Sequence, residues 1–536
     1  MKNKNLSKPN VIFIIVDMLK QNKIGANGYN PKITPNIDKI YLKGLRATQH
    51  FSTGSVTQVA FPSIFTSTLP LDMGGYNKGI KDRPNSFPEI LSSNGYETWG
   101  AVTGHPCCAH FGYDKGFDNF ENLIDLYQWF RQMFRVELRY LIENYKSKKY
   151  TEIQFVDAIK DNYLEYLNST IRYIDEMNEL GLPNNGWNRK KLKLSINKEI
   201  KLLKEKPKVV AKKIIEFDQN FKEVIGYEIV SVKKRILIKV KERLKSFLNK
   251  HIFLYSERKA FPAHFVNNNF KKFLSKRNVK KPFFAYMHYF DVHEAKLLLS
   301  NFSLSKIFDF LISLYKCCNR DFNKGGFFYD IALSRVDREI GRLISQLKKN
   351  NLDKDTIIII TGDHGTQSGY PSRQSIKGST DLANNFFDDW HHVPFIICGP
   401  GVPAKKTDIL CSHLDLAPTI LDILSINSPG SYLGKSILSG IETTKFTIAE
   451  NTGNGNCDIK NKNIIISVRS KTLKVVYEIE KFHIKEREVY DIIKDKFELN
   501  NLVKSNYYPD VRKQHFKVVT SRLSKLKFEN NIQENK

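Results

Sequence analysis

The chain has 536 residues, a net charge of +28, 41% hydrophobic and 12% aromatic residues, enough for one large α/β domain plus a smaller one and too apolar for a disordered chain. No run of 18 or more apolar residues occurs, so no transmembrane helix is expected. The seven cysteines are odd in number and show no CxxC spacing, which argues against a disulfide framework and fits a reducing, cytoplasmic compartment.

In chain order, the basic stretch MKNKNLSKPN leads into NVIFIIV, residues 10–16, and then Asp17. No small-residue cleavage site follows, and the apolar run ends in a candidate ligand, so a strand is expected here and not a signal peptide. Pro35-Asn36-Ile37-Asp38 opens a helix ending near Lys43-Gly44. Pro62, placed at a first helical position, predicts a helix from there to about Ser67. A further helix starts at Pro88 and stops at Asn94-Gly95, and residues 97–102 read as a strand. Residues 125–275 read as long Lys-rich helices broken between Gly181 and Gly186.

Strand character resumes at FFAYMHYF, residues 283–290, before Asp291. A helix from about Tyr329 to Lys349 carries Val336, Ile340, Leu343 and Leu347 on one face. Then comes TIIIITGDHG, residues 356–365: a β-branched run, a short turn, and Asp363-His364-Gly365. Such a run suits a strand buried on both faces of a parallel sheet. A carboxylate and an imidazole just past its carboxyl end sit where open α/β sheets bind ligands, and both are good ligands for a divalent metal. Asp17 ends the first strand in the same way. Two such strands side by side would bring Asp17, Asp363 and His364 together. A strand at VPFIIC, a helix from Pro418 to Leu424, strands at Ile464–Val468 and Leu473–Tyr477 and a terminal helix complete the reading.

The assigned organisation is a core of residues 1–130 and 281–440, a basic helical insertion at 131–280, and a C-terminal subdomain at 441–536. Residues 131–280 hold 35 Lys/Arg against 17 Asp/Glu. That field favours an anionic partner, either an acidic glycan or peripheral contact with acidic membrane lipid. Aromatic residues within it sit at helical spacing, which favours packing over base stacking, and nucleic acid is not the expected partner.

Taken in order, these segments resemble the sulfatase branch of the alkaline phosphatase superfamily. The matching landmarks are NVIFIIVDML with TPNIDKIYLKGLRATQHFS, PSIFTSTLP, FPEILSSNGYETWGAVTGH with FGYDKGFDNF, KPFFAYMHYFDVHE, YDIALSRVDREIGRLISQL, TIIIITGDHG, VPFIICGPG, HLDLAPTILDIL and EREVYDIIKDKFELNNLV. The resemblance implies a central, mostly parallel sheet flanked by helices, with a small C-terminal antiparallel sheet. It also implies metal-assisted cleavage or transfer of a sulfate or phosphate ester, with one divalent ion (Ca, Mg, Mn or Zn) on Asp17, Asp363 and His364. His293 would contact the ester or protonate the leaving group. His288, and one of His391 and His392, would assist, and Lys377 would balance anionic charge. Read on its own, His288 is better explained as a satisfied core residue.

The chain departs from the family where the nucleophile is expected. In sulfatases that residue is Cys or Ser two positions before the helix proline, with Arg following at the end of the motif. Here Ala60 and Ile64 occupy those places, and Met18 stands where many sulfatases have a second metal-binding Asp. A formylglycine mechanism is therefore disfavoured. Three readings remain: a nucleophile from elsewhere, with Thr57 first and Ser55 next; direct attack by metal-bound water; or a catalytically inactive binding protein on the same fold.

Overall fold

The computed structural model describes residues 8–123, 141–142, 144–179, 189–215, 261–293, 326–366, 385–438, 440, 444–452, 464–480 and 483–534. Lys377 and the cysteines Cys317, Cys318 and Cys457 lie outside these residues.

The strand β1 (Asn10–Val16) is buried along its whole length, as its unbroken apolar run requires. It lies between β5 (Phe283–Tyr289) and β6 (Thr356–Thr361) and pairs with both in parallel. The other strands are β2 (Leu45–Phe51), β3 (Glu97–Val102), β4 (Asn119–Asn122), β7 (Phe395–Cys398) and β8 (Lys406–Ser412). They form an eight-stranded sheet in the order β4-β3-β5-β1-β6-β7-β2-β8, in which β7 runs antiparallel to both neighbours. Helices α1 (Pro35–Lys43), α2 (Thr57–Thr66), α3 (Phe87–Ser93), α4 (Ala263–Lys276), α5 (Phe327–Lys349) and α6 (Leu416–Ile423) flank it. The strands β9 (Thr447–Asn451), β10 (Ile464–Arg469), β11 (Leu473–Glu480) and β12 (His483–Asp491) make a second, antiparallel sheet. The terminal helix α7 (Pro509–Glu534) buries Val519, Leu523 and Leu526 in the same core as Ile466, Val468, Val475 and Tyr477 of that sheet.

Two local expectations are corrected. The first concerns α2, which begins at Thr57 and not at Pro62, so the proline lies inside the helix. Proline is favoured at a first helical position, but here the missing N–H falls in the second turn, opposite the Gln58 carbonyl. The earlier start puts Thr57, and not Pro62, at the amino end of α2. The second concerns α4, which falls in the segment assigned to the insertion yet belongs to the core unit formed by residues 1–120 and 261–536. Its lysines are exposed, but Phe270 and Phe273 pack against Trp99 of β3 and, edge to face, against Phe283 of β5.

Residues 121–260 form a separate compact unit. In its described part, the helices Glu152–Glu179 and Arg189–Glu205 pack together. They bury Ile159, Tyr163, Leu167, Leu192, Ile196 and Leu203, with the Tyr163 hydroxyl donating to Glu199 at 3.1 Å. The lysines of both helices point outward. Among the described residues, no helix is long and apolar enough to cross a membrane.

Candidate metal centre and active site

Several chain segments meet at the carboxyl edge of the large sheet. Asp17 follows β1 directly, and its amide donates to the Tyr289 carbonyl of β5. Asp363 and His364 follow β6. Ligand-capable atoms of Asp17, Asp363 and His364 all lie within 4.8 Å of one another, and the three side chains are buried. The juxtaposition expected from the two strand ends is therefore present in the structure.

The donor atoms are arranged for a cation. Asp363 Oδ1 accepts from the amides of Met18 (3.1 Å) and His364 (2.8 Å), while Oδ2 has no hydrogen-bond partner among the described residues. Asp17 Oδ1 is likewise without a partner. His364 Nδ1 lies 2.7 Å from the Gly365 carbonyl, which can only accept, so the ring proton sits on Nδ1. Nε2 is left with a free lone pair, 3.6 Å from Asp363 Oδ2 and 3.8 Å from Asp17 Oδ1. Among the described residues no lysine or arginine pairs with either carboxylate. Burial, together with the neighbouring Asp363, pushes the Asp17 carboxyl up to about 7. Two buried carboxylate oxygens without hydrogen-bond partners are costly without a positive charge between them, and hard oxygen ligands with one imidazole suit a divalent ion. These residues fit the metal that the resemblance implies.

Thr57 reaches this cluster from the first residue of α2. Its Oγ1 lies 3.2 Å from Asp17 Oδ2 and 3.3 Å from His364 Nε2. Ala60, three residues on, stands about 4.5 Å further along the helix axis and is fully buried, as is Ile64. The other sequence candidates have separate environments. His293 stacks on Phe290 with ring centroids 4.1 Å apart, near enough to Asp17 that a protonated ring would lower its carboxyl. His392 Nε2 meets the Thr48 carbonyl at 2.8 Å and the ring stacks on Phe51. His391 meets the carbonyls of Ser52 and Asn385. Neither makes a hydrogen bond or ion pair with the cluster among the described residues. Burial pushes His391 down to about 4. His288 is fully buried on β5 with Nε2 3.6 Å from Asp17 Oδ2. Burial pushes its imidazole down to about 4, so the ring is neutral.

Further contributors had no sequence signal. The Ser52 hydroxyl sits 2.6 Å from the Asp363 carbonyl. The Met18 amide braces Asp363 from a residue with φ of +62°, a left-handed conformation uncommon for a long side chain. Trp390 lies parallel to the His364 ring at 6.3 Å, and its carbonyl accepts from the Gly365 amide. Only Gly365 carried a hint, as a glycine beside ligands. A Cβ there would stand 2.0 Å from the Asp389 carbonyl oxygen.

A family profile described as Sulfatase matches residues 9–170 and 262–426. Rat arylsulfatase K is 33% identical over 136 residues, which cover 24% of this chain and 23% of that protein. The chain thus spans about a quarter of that relative's length. An arylsulfatase of Clostridium perfringens (strain 13 / Type A) is 22% identical over 538 residues, covering 94% of this chain and 92% of that one. Among solved structures, the phosphonate monoester hydrolase of Agrobacterium radiobacter superposes with a TM-score of 0.54 at 15% identity, over 97% of this chain and 96% of that one.

Proposed function

The chain belongs to the sulfatase family, and we propose that it is a metal-dependent hydrolase or transferase of a sulfate or phosphate ester, with Thr57 as nucleophile. The observation that carries this reading is the Thr57 hydroxyl, within 3.3 Å of both an Asp17 oxygen and Nε2 of His364. A divalent ion on Asp17, Asp363 and His364 would polarise the ester's non-bridging oxygens and lower the pKa of the hydroxyl beside it.

The chain's own residues supply the rest. Asp17 Oδ2 is placed to take the Thr57 proton as Oγ1 forms its bond to phosphorus or sulfur and the ester oxygen leaves. His293, just past β5, is the candidate donor of the proton to that oxygen. Gly365, through its carbonyl, keeps the His364 ring proton on Nδ1. A side-chain alkoxide made this way needs no formylglycine, so Ala60 and Ile64 do not stand against turnover. The absent cysteine and the Asp-His pair favour phosphoryl over sulfuryl transfer. The basic surplus in residues 131–280 supports an anionic glycan, polymer or lipid as the carrier of the ester.

The test is turnover of aryl phosphate, aryl phosphodiester and aryl sulfate by the purified chain loaded in turn with Mn2+, Mg2+, Ca2+ and Zn2+. Intact-mass analysis during turnover should detect an adduct that Thr57→Ala lacks. Activity that survives Thr57→Ala and disappears in Asp363→Ala points to direct water attack. One ion bound per chain with no turnover across the panel supports the binding-protein reading.

A further inference from the structure

His288 is poorly explained as a satisfied core residue. It sits on β5 opposite Ile15, two residues before Asp17, and its side chain is inaccessible to solvent. One side of the ring is accounted for. The Thr103 hydroxyl donates to the His288 main-chain oxygen at 2.9 Å and lies 3.4 Å from Nδ1. The other side ends in Nε2, which has no hydrogen-bond partner among the described residues and faces Asp17 Oδ2 at 3.6 Å. That separation is longer than a hydrogen bond, yet it is a close electrostatic contact in a site that excludes water.

The ring is held in this orientation from three directions. A Cβ at Gly104 would come within 2.9 Å of His288 Cε1, so the imidazole lies against bare backbone. Phe61 of α2 meets it edge to face at 5.6 Å, and Phe290 closes a third side at 6.0 Å. The Thr103 hydroxyl can turn its proton to Nδ1 as well as to the main-chain oxygen, so it does not require the imidazole proton to be on Nδ1. On Nε2 that proton faces a carboxylate; a bare lone pair there would repel one.

We propose that His288 is a positioning residue whose Nε2–H fixes the rotation of the Asp17 carboxylate, holding Oδ2 between itself and Thr57 so that Oδ1 is turned toward the bound metal ion. This rests on the reading of Asp17, Asp363 and His364 as metal ligands. Partners of this kind behind metal ligands typically carry 10- to 100-fold in metal affinity.

The experiment is isothermal titration of the full-length chain with Mn2+, with the thermal midpoint recorded for every variant. His288→Phe keeps the ring volume and removes the donor, and its Mn2+ affinity should fall by about 10- to 100-fold. Gln places its amide nitrogen near the position of Nε2, whereas Asn reaches only that of Nδ1. His288→Gln should therefore recover most of the affinity and His288→Asn should not, even where all three variants lose the same thermal stability. The Gln–Asn comparison decides the matter if the Phe variant does not fold. Equal Mn2+ affinity in Gln and Asn variants, or wild-type affinity in His288→Phe, overturns the proposal. Asp363→Ala separates the two levels. If it binds Mn2+ as wild type does, the metal-site reading itself fails. If it loses binding while His288→Phe retains it, only the role of His288 fails.

Discussion

Metal binding should weaken as the pH falls through 7, because the proton and the ion compete for Asp17. Burial and the nearby Asp363 carboxylate raise the Asp17 carboxyl to about 7 in the metal-free protein. Above that pH the group is ionised and ready to bind. Below it a proton must first be displaced, so the apparent affinity falls with the ionised fraction. For one such group that fraction is about half at pH 7, about a tenth at pH 6 and about a hundredth at pH 5. Mn2+ affinity should therefore drop by at least about tenfold between pH 8 and pH 6. Calorimetry in buffers of different ionisation enthalpy should also show proton release per ion rising as the pH is lowered across this range. Asp17→Asn has no carboxyl to titrate, so it should bind weakly and lose that part of the slope. Affinity that stays level from pH 8 to pH 5, or an unchanged slope in Asp17→Asn, would refute the argument that this carboxylate is a ligand.

Three further outcomes follow from the packing. Gly365→Ala places a methyl group 2.0 Å from the Asp389 carbonyl oxygen, so the His364 loop must move; Mn2+ affinity and the thermal midpoint should both fall, and a variant with wild-type affinity contradicts this. Arg522 of α7 makes buried ion pairs with Glu450 and Asp72, and Arg522→Met leaves both carboxylates unpaired, which should cost about 3–5 kcal/mol in urea denaturation. Asp388 is half-buried, which by itself would raise its carboxyl, but Arg469 and Lys474 outweigh this desolvation and hold it well below the usual 3.8. A depressed carboxyl contributes stability that is complete above the ordinary carboxylate range and lost as the pH falls through the folded value. Asp388→Asn should accordingly remove part of the acid-induced loss of stability seen in the wild type.

The large sheet was legible because its central strands are buried on both faces. The runs at β1, β5 and β6 carry nearly unbroken apolar sequences, and those of β1 and β6 end in the carboxylates of the site. The edge and small-sheet strands were less legible. β12 reads HIKEREVYD, with charged residues along most of its exposed length, so no apolar period marks it. β8 alternates only in part. The start of α2 was misplaced because proline is a strong marker of a first turn, and in this helix tertiary packing overrides that preference. The error mattered, because it detached Thr57 from the helix that presents it. Asp17, Asp363 and His364 could be picked out by their place after strands. Ser52, Trp390 and the Met18 amide could not, since each acts through a contact between distant segments that leaves no local pattern.

The small sheet does more than close the chain. Lys474 of β11 and Arg469 of β10 both pair with Asp388, and Lys474 also pairs with Glu498, whose carboxylate accepts from the Asp388 amide. These charges are largely withdrawn from water, so the set holds together or fails together. They fix the start of the segment 388–392. One residue on, Asp389 packs against Gly365 and pairs with the buried Lys20. Trp390 then accepts from the Gly365 amide and stacks along His364, and the His391 carbonyl accepts from the Ser52 amide. Ser52 in turn touches the Asp363 carbonyl. From β10 and β11 to the candidate ligands, the links are polar contacts or close packing between buried and half-buried groups. Among the described residues, the start of the β6 loop is also held by Met18, Thr57 and His413. The rigidity a metal site would need in its ligands therefore comes to the candidate ligands His364 and Asp363 in part from the C-terminal sheet, through residues 388–392, and not from β6 alone.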